Sequence, residues 1–346
     1  MKNNDYWRKR EDEALKHRIK DEKVYDKRVK QIYLDMLNGV QSEIDSFYGK
    51  YAQKEGISMA EAQKRVSKLD IAAYERKAKK YVEDAARDRK ANGGKTNYNG
   101  YYFSENANRE MALYNLTMKV NRLEMLKANI GLEMVKGHAE LETFFEEILE
   151  GRTLEELERQ AGILGMTVTD NAKRVHAIVN ASYQNANFSD RIWMYHDLMK
   201  ADLGKLLTNG LIQGKNPRVL AREIRRYYIG EETLKNGRKG AVFSAERLMR
   251  TELARVQTEA QKQSFVRNGF DYYEFIVNSG CCPICAALNG KHFRIDKMMP
   301  GENAPPMHPF CRCSTAAWTD DAAYEEWLDS LSTGKATVTW KEMKRG

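Results

Sequence analysis

The chain has 346 residues, of which 42% are hydrophobic and 31% are charged, and its formal net charge is +8. This composition is apolar enough to bury a core, and no apolar run approaches the roughly 18 residues that a membrane span needs. The first ten residues have no apolar stretch after their basic residues, so we expect no secretory signal and a start in the cytoplasm. The positive charge is consistent with a polyanionic partner, but the charges are interleaved as on ordinary solvated helices.

The N-terminal part is predicted to be helical. Apolar residues at three- and four-residue steps predict one long helix, or two in series, over 6–51. Packing against neighbouring helices and docking of another subunit both explain this stripe. A second helix is predicted from Ser58, which has capping-box spacing with Glu61, and a third over 71–89. The Asn- and Gly-rich stretch 92–100 predicts a loop or hairpin and a soft boundary.

Helical periodicity returns over 106–149. Thr153 and Glu156 again have capping-box spacing and predict a short new helix ending near Gly162. The stretch 163–169 is compatible with a brief strand. Further helices are predicted over 171–185, 189–208, 217–228 and 244–268, with Gly210 and Gly214 separating the middle two.

The pattern changes after residue 269. Aromatic and β-branched residues over 272–277 predict a strand, and 314–318 predicts a weaker second strand. A short acidic helix and a basic end follow. We therefore predict a mainly α protein, in which helical N-terminal and central regions precede a small α+β C-terminal module of the zinc-knuckle kind. The predicted segments are a coiled-coil-like helical region at 1–95, a central helical region at 96–240, the module at 241–320 and a tail at 321–346.

All five cysteines lie between the two predicted strands, in a chain without a predicted secretory signal, which favours a metal site over a disulfide framework. The candidate donors are Cys281, Cys282, Cys285, His308, Cys311 and Cys313. Cys282 and Cys285 have the two-residue spacing of a zinc knuckle, and the pair at 308 and 311 repeats it. The fourth ligand is left open between His308 and Cys313, and the Pro-rich approach favours His308. Cys281 is interpreted as a spare small hydrophobe.

The predicted ion is Zn²⁺ in a structural role, because four or more protein donors leave no open position for catalysis. The alternative is a set of reduced, buried cysteines without a metal. The polar, Gly- and Pro-rich character of the loop argues against that alternative, because such a loop lacks the apolar bulk of a core.

Together these motifs resemble the C-terminal domain of phage minor head proteins, the Mu F-like head morphogenesis family. The resemblance is carried by the predicted strand, Cys282-Pro-Ile-Cys285, Leu288-Asn289-Gly290-Lys291 and the run Pro-Pro-Met-His-Pro-Phe-Cys-Arg-Cys at 305–313. It extends over about 188–318 and includes Arg250-Thr251-Glu252. The sequence departs from the family pattern in three places. Phe310 stands where the family often has Asn, and Asn278 or one of its neighbours stands where the family often has an acidic residue. Cys281 is additional.

The resemblance implies a non-enzymatic minor capsid component that associates with the portal during procapsid assembly. It implies location in the virion, at the procapsid interior or portal vertex, and in the host bacterial cytoplasm during assembly. Capsid or scaffold proteins and non-specifically bound DNA are the further partners that it implies. It also implies that the helix with Arg250, Thr251 and Glu252 faces the metal module.

A basic-aromatic cluster is a second candidate for phosphate and base contacts. It consists of Arg222, Arg225, Arg226, Tyr227 and Tyr228. A solvated helix end explains the same pattern.

Two enzymatic alternatives remain. A thiol–disulfide oxidoreductase would use Cys282 and Cys285 after a strand, but no βαβ pattern surrounds them. A zinc-supported nuclease would need His292 with Asn289. The other histidines, at 17, 138, 176 and 196, form no visible constellation and are interpreted as structural.

Overall fold

The structure is a computed structural model that describes residues 3–51, 67–91, 104–117, 121–166, 171–213, 215–229, 240–335 and 338–343. Within these ranges the helices are α1 (Asn3–Tyr51), α2 (Lys68–Ala91), α3 (Glu105–Thr117), α4 (Arg122–Leu164), α5 (Asn171–Val179), α6 (Phe188–Ile212), α7 (Pro217–Ile229), α8 (Ala241–Arg267), α9 (Pro283–Ala286), α10 (Ala322–Ser332) and α11 (Trp340–Met343). The strands are β1 (Tyr272–Ile276), β2 (His292–Arg294) and β3 (Ser314–Trp318). The predicted fold class, mainly α with a small α+β C-terminal module, is confirmed. Among the described helices, none combines the length and the hydropathy that a membrane span requires.

The long N-terminal helix is confirmed as one element, α1, whereas the predicted helix start at Ser58 lies outside the described residues. The predicted helix over 106–149 was wrong in its continuity. It is divided between α3 and α4, and Asn121 caps the start of α4 by accepting a hydrogen bond from the backbone N–H of Glu124 at 2.9 Å. Gly210 was also wrong as a separator, because it lies inside α6.

The predicted helix start at Thr153 was wrong, because α4 continues through it to Leu164. The Thr153 hydroxyl donates to the carbonyl of Leu149 at 2.7 Å, one turn earlier, instead of capping a new helix. The predicted strand at 163–169 was wrong at its start, where Ile163 and Leu164 end α4, and positions 167–169 lie outside the described residues. The chain leaves the helix at Gly165, whose φ of 98° suits glycine at a helix C-terminus.

The chain forms two compact units, each assembled from separated segments. One unit, here the helical unit, comprises 27–144 and 189–245. One of its apolar clusters joins side chains of α2, α3, α4 and α6. Its buried members are Tyr74, Ala78, Ala107, Met111, Tyr114, Met125, Ala128, Leu132, Val135 and Trp193.

The other unit, here the sheet unit, comprises 1–26, 145–188 and 246–346. Its main core joins Trp7 of α1 to aromatic residues of the sheet and of the two C-terminal helices, including Tyr273, Tyr324, Trp327 and Trp340. Two of these large rings use their polar atoms in hydrogen bonds: the Tyr324 hydroxyl donates to the carbonyl of Ala317 at 2.7 Å, and the Trp327 indole donates to the carbonyl of Val338 at 2.9 Å.

A buried charged network lies beside this core. Glu156 accepts from Arg159 at 2.7 Å and from Arg18 at 3.3 Å, and Gln261 of α8 donates to it at 2.9 Å. Burial alone would raise the pKa of Glu156, but the two arginines outweigh it and lower the pKa to about 2. Gln261 also accepts from the Thr315 backbone N–H at 3.2 Å, so the network fixes β3 against α8.

The sheet has the order β2-β1-β3, with both pairs antiparallel. β2 was not predicted. Ile276 at the end of β1 pairs with Ser314 at the start of β3. The chain leaving β1 and the chain entering β3 therefore lie side by side at one end of the sheet, which is where the cysteines are.

Candidate metal centre

The first donor turn follows β1. Pro283 occupies the first position of α9, a single helical turn whose cap is Cys282. The Cys282 sulfur accepts from the backbone N–H of Cys285 at 3.5 Å, as a capping side chain does. The C-x-x-C spacing and the cap therefore hold both sulfurs on one side of the turn.

The second donor turn immediately precedes β3. The backbone N–H of Cys311 donates to the carbonyl of His308 at 3.1 Å and closes a tight turn. Phe310 has a φ of 66°, in the left-handed region that asparagine tolerates better than phenylalanine.

Side chains of the two turns converge. His308 Nε2 lies 3.1 Å from Cys282 Sγ and 3.6 Å from Cys285 Sγ, and Cys285 Sγ lies 3.9 Å from Cys311 Sγ. In a tetrahedral site with Zn–S of about 2.3 Å and Zn–N of about 2.0 Å, sulfur atoms lie about 3.8 Å apart, and sulfur and nitrogen about 3.5 Å. The donor set and two of these three separations therefore match a tetrahedral zinc site, and the third is about 0.4 Å shorter.

The donors form two overlapping groups that share Cys285. In the first group Cys282, Cys285 and His308 lie within 4.8 Å of one another, and in the second Cys285, Cys311 and Cys313 do. The Asn278 side-chain amide lies 4.0 Å from the Cys313 sulfur. These distances are therefore compatible with either His308 or Cys313 as the fourth ligand.

The ring of His308 is oriented by its own backbone. Its Nδ1 lies 2.7 Å from the carbonyl oxygen of Pro309, a contact that requires a proton on Nδ1. In the neutral ring Nε2 then carries the lone pair and faces the cysteine sulfurs. This is the arrangement of metal-binding histidines, whose other nitrogen commonly donates to a carbonyl.

The five titrating groups influence one another strongly. A hydrogen bond from Cys313 lowers the pKa of Cys311 to about 5, and burial raises that of Cys285. The pKa of Cys313 is raised by the hydrogen bond that Cys313 makes with Cys311. The backbone N–H of Cys285 lowers the pKa of Cys282. The carbonyl of Pro309 raises the pKa of His308.

The N-terminal helix α1 fastens both turns. Asp12 accepts from the backbone N–H of Ser279 at 3.0 Å, next to the first turn. Glu22 pairs with Arg312 in the second turn and lies 3.4 Å from Arg250 of α8. No sequence signal identified these acidic partners, because they lie more than 250 positions from the turns that they contact.

The three residues of the Arg250-Thr251-Glu252 motif make different contacts. The Arg250 guanidinium lies 5.2 Å from the centre of the Phe310 ring, so this residue does face the donor turns. Glu252 is fully buried and pairs with Arg255 at 2.6 Å. The Thr251 hydroxyl donates to the carbonyl of Arg247 within the same helix.

The basic-aromatic cluster lies on α7, where its residues differ in exposure. The Tyr228 hydroxyl is buried and donates to the carbonyl of Met199 at 2.9 Å, so its ring belongs to the core. Arg225 donates to Asn38 at 3.1 Å. Arg222 and Arg226 are exposed on the same helix, and the side chain of Tyr227 lies outside the described part of the structure.

His292 and Asn289 are not brought into a donor cluster within the described residues. The His292 ring stacks on Trp318, with centres 3.8 Å apart. The Asn289 side chain accepts from the backbone N–H of Val277 at 3.4 Å. Both residues thus make structural contacts at the sheet.

Residues 201–316 match the family model described as phage Mu protein F like protein. No curated protein and no solved structure gives a significant match to the chain. The matched segment contains both donor turns, α7, α8, β1 and β2, and most of β3. The segment 201–316 is thus similar to that family, which confirms the family resemblance drawn from the cysteine and histidine motifs.

Proposed function

We propose that this chain is a minor head protein of a tailed phage or prophage, which associates with the portal during procapsid assembly and holds one structural zinc ion. The family match over 201–316 supports a role in phage head morphogenesis. The observation that carries the zinc proposal is the convergence of cysteine and histidine side chains from two separate turns.

The proposed ligands are Cys282, Cys285, His308 and Cys311. Three thiolates and one imidazole are soft or borderline donors, the kind that Zn²⁺ prefers. The Pro309 carbonyl supports His308, because it directs the lone pair of Nε2 toward the sulfurs. Cys313 remains the competing ligand, since it lies in one group with Cys285 and Cys311.

The ion would act by linking the two turns. The segment from Asn278 to Cys313 contains one α-helical turn, one 3₁₀ turn and three strand residues, and most of its other backbone hydrogen bonds join residues within five positions of each other. Zinc binding in small zinc peptides contributes roughly 10–16 kcal/mol of apparent free energy, which is folding free energy when the site does not exist in the unfolded chain. We propose that this energy orders the surface that the module offers to other virion proteins.

Portal association is tested with the cognate portal protein. The chain and the portal protein are co-expressed, and procapsids and pairwise mixtures are assayed for co-purification. Wild-type chain and Cys281→Ser should co-purify, because Cys281 is outside the proposed ligand set, whereas Cys285→Ser should lose association together with the ordered module. Absence of wild-type chain from both procapsids and pairwise mixtures would refute the portal role.

A thiol–disulfide oxidoreductase is the second candidate, favoured by the lowered pKa of Cys282 and its partial exposure. Zinc-loaded protein mixed with a chromogenic disulfide separates the two proposals. We expect no rapid catalytic turnover, because coordination to zinc lowers the nucleophilicity of a thiolate. Rapid turnover that Cys282→Ser abolishes would favour the enzyme.

A further inference from the structure

An aromatic cleft lies on the sheet unit, away from the donor turns. Its volume is about 460 Å³, and Tyr272, His292, Trp318, Asp271 and Asp320 line it above the buried rings of Phe270 and Trp340. None of these residues belongs to the proposed zinc site. The cleft therefore needs an explanation of its own.

Strand register creates the aromatic wall. Tyr272 in the central strand pairs with Trp318 in β3, so both side chains lie on the same face of the sheet. Their rings meet edge to face, with centres 6.0 Å apart, and His292 from β2 stacks on Trp318 at 3.8 Å. Tyr272 is 38% exposed, which is unusual for a large ring in a packed sheet and presents a π surface to solvent.

Negative charge borders these rings. Asp271 and Asp320 are exposed, and within the described part of the chain neither forms an ion pair. Arg294 lies over the Tyr272 ring at 5.9 Å, but Asp296 already neutralises it at 2.8 Å. Partial burial lowers the pKa of His292, so this ring adds no positive charge at neutral pH. The lining thus combines ring faces with uncompensated carboxylates.

We propose that this cleft binds an arginine or lysine side chain presented by a basic segment of a partner polypeptide. Ring faces attract a cation through their quadrupole, and the two carboxylates add charge complementarity. A nucleic acid fits less well, because its phosphates would approach Asp271 and Asp320. This proposal is independent of the zinc ion and of the portal role.

The test uses full-length protein and three probes: a short glycine-flanked arginine peptide, its uncharged citrulline counterpart, and a thymidine oligonucleotide. Binding is followed by the indole ¹⁵N–¹H signals of the five tryptophans, with that of Trp318 assigned from Trp318→Phe. The arginine peptide should move the Trp318 signal, and the citrulline peptide should not. The Trp193 signal should stay in place, because that indole donates to Glu142 in the helical unit.

Asp271→Asn and Asp320→Asn should each weaken peptide binding about 2- to 5-fold, the size expected of an exposed charge pair. Tyr272→Leu should weaken it by a similar factor through loss of a cation–π contact. Asp45→Asn is the matched control, because it removes one exposed carboxylate of α1 in the helical unit and should leave binding unchanged. Equal binding of the citrulline peptide, a larger response to the oligonucleotide, unchanged affinity in both Asp variants, or no response to any probe would each overturn the proposal.

Discussion

Acidification should destabilise the helical unit through His138. This ring is 1% exposed in α4, and its Nδ1 lies 2.8 Å from the carbonyl of Met134. The rings of Tyr33, Trp193 and His196 surround it. Burial, reinforced by the neighbouring His196, lowers the pKa of His138 from 6.5 to about 3.

The direction in which folding stability changes with pH follows from this lowered pKa. The unfolded chain takes up a proton near pH 6.5, whereas the folded chain excludes it until much lower pH. Stability is therefore fully present above the unfolded pKa and is lost as the pH falls below it. Each pH unit is equivalent to about 1.4 kcal/mol, so the loss reaches about 2 kcal/mol at about pH 5 and about 4–5 kcal/mol near pH 3.

Other titrating groups act mostly in a different window. Glu156 and Asp197 have lowered pKa values, so their stabilisation is lost only as the pH falls below the ordinary carboxyl range. The carboxylates that face His196 are Asp197 at 3.5 Å and Glu110 at 4.0 Å. His292 also has a lowered pKa, but it is partly exposed and contributes less.

The assay is urea unfolding of wild type and His138→Gln at about pH 7 and about pH 5, with zinc present. Glutamine keeps a donor for the Met134 carbonyl and does not titrate. Any loss of zinc at the lower pH affects both proteins and cancels in the comparison. Wild type should lose about 2 kcal/mol more than the variant. An equal loss in both proteins would refute the reasoning.

Two further predictions concern packing and charge. Gly137→Ala should destabilise the fold by about 1–3 kcal/mol, because the added methyl carbon would lie 2.8 Å from the Cβ of Met36. Gly151→Ala in the same helix meets open space and should stabilise the fold by about 0.5–1 kcal/mol. Thermal unfolding compares the two variants, and destabilisation by both would contradict the account. Arg255→Met should cost about 3–5 kcal/mol, because it leaves the buried Glu252 carboxylate uncompensated and removes two hydrogen bonds to the last turn of α5. Adding Glu252→Gln should restore much of that loss in urea unfolding, and a purely additive double variant would count against a buried ion pair.

Apolar periodicity predicted the long helices well, because burial of one helix face leaves a direct trace in the sequence. α1 follows the predicted stripe, in which Val29, Ile32 and Ile44 are at most 2% exposed. The same local reading failed at Thr153, whose spacing to Glu156 imitates a capping box. Glu156 instead accepts hydrogen bonds from Arg18, Arg159 and Gln261. Tertiary contacts such as those with Arg18 and Gln261 cannot be predicted from local spacing.

The candidate site was located from the sequence because spacing determines which sulfurs share a turn. Spacing does not determine which turns meet. That depends on the pairing of Ile276 with Ser314 and on β2, a strand of three residues that is too short for a periodic signal. The only local trace of β2 is the Asn289-Gly290 turn before it, where Gly290 has a φ of 71°.

Contacts between α1 and the donor turns had no sequence signal at all. Asp12 and Glu22 look like ordinary solvated charges of a long helix. Only the folded chain brings them to Ser279 and Arg312. The predicted division of the chain into 1–95, 96–240, 241–320 and 321–346 remains a prediction.

The central claim is that sulfur and imidazole donors of the two turns hold one zinc ion. Elemental analysis of natively purified protein tests it most directly, with wild type, Cys285→Ser and Cys281→Ser prepared in parallel. We predict about one zinc ion per chain in wild type and Cys281→Ser, and loss of zinc in Cys285→Ser with most of the helical circular dichroism retained. Zinc-free wild type, or a full complement of zinc in Cys285→Ser, would contradict the account.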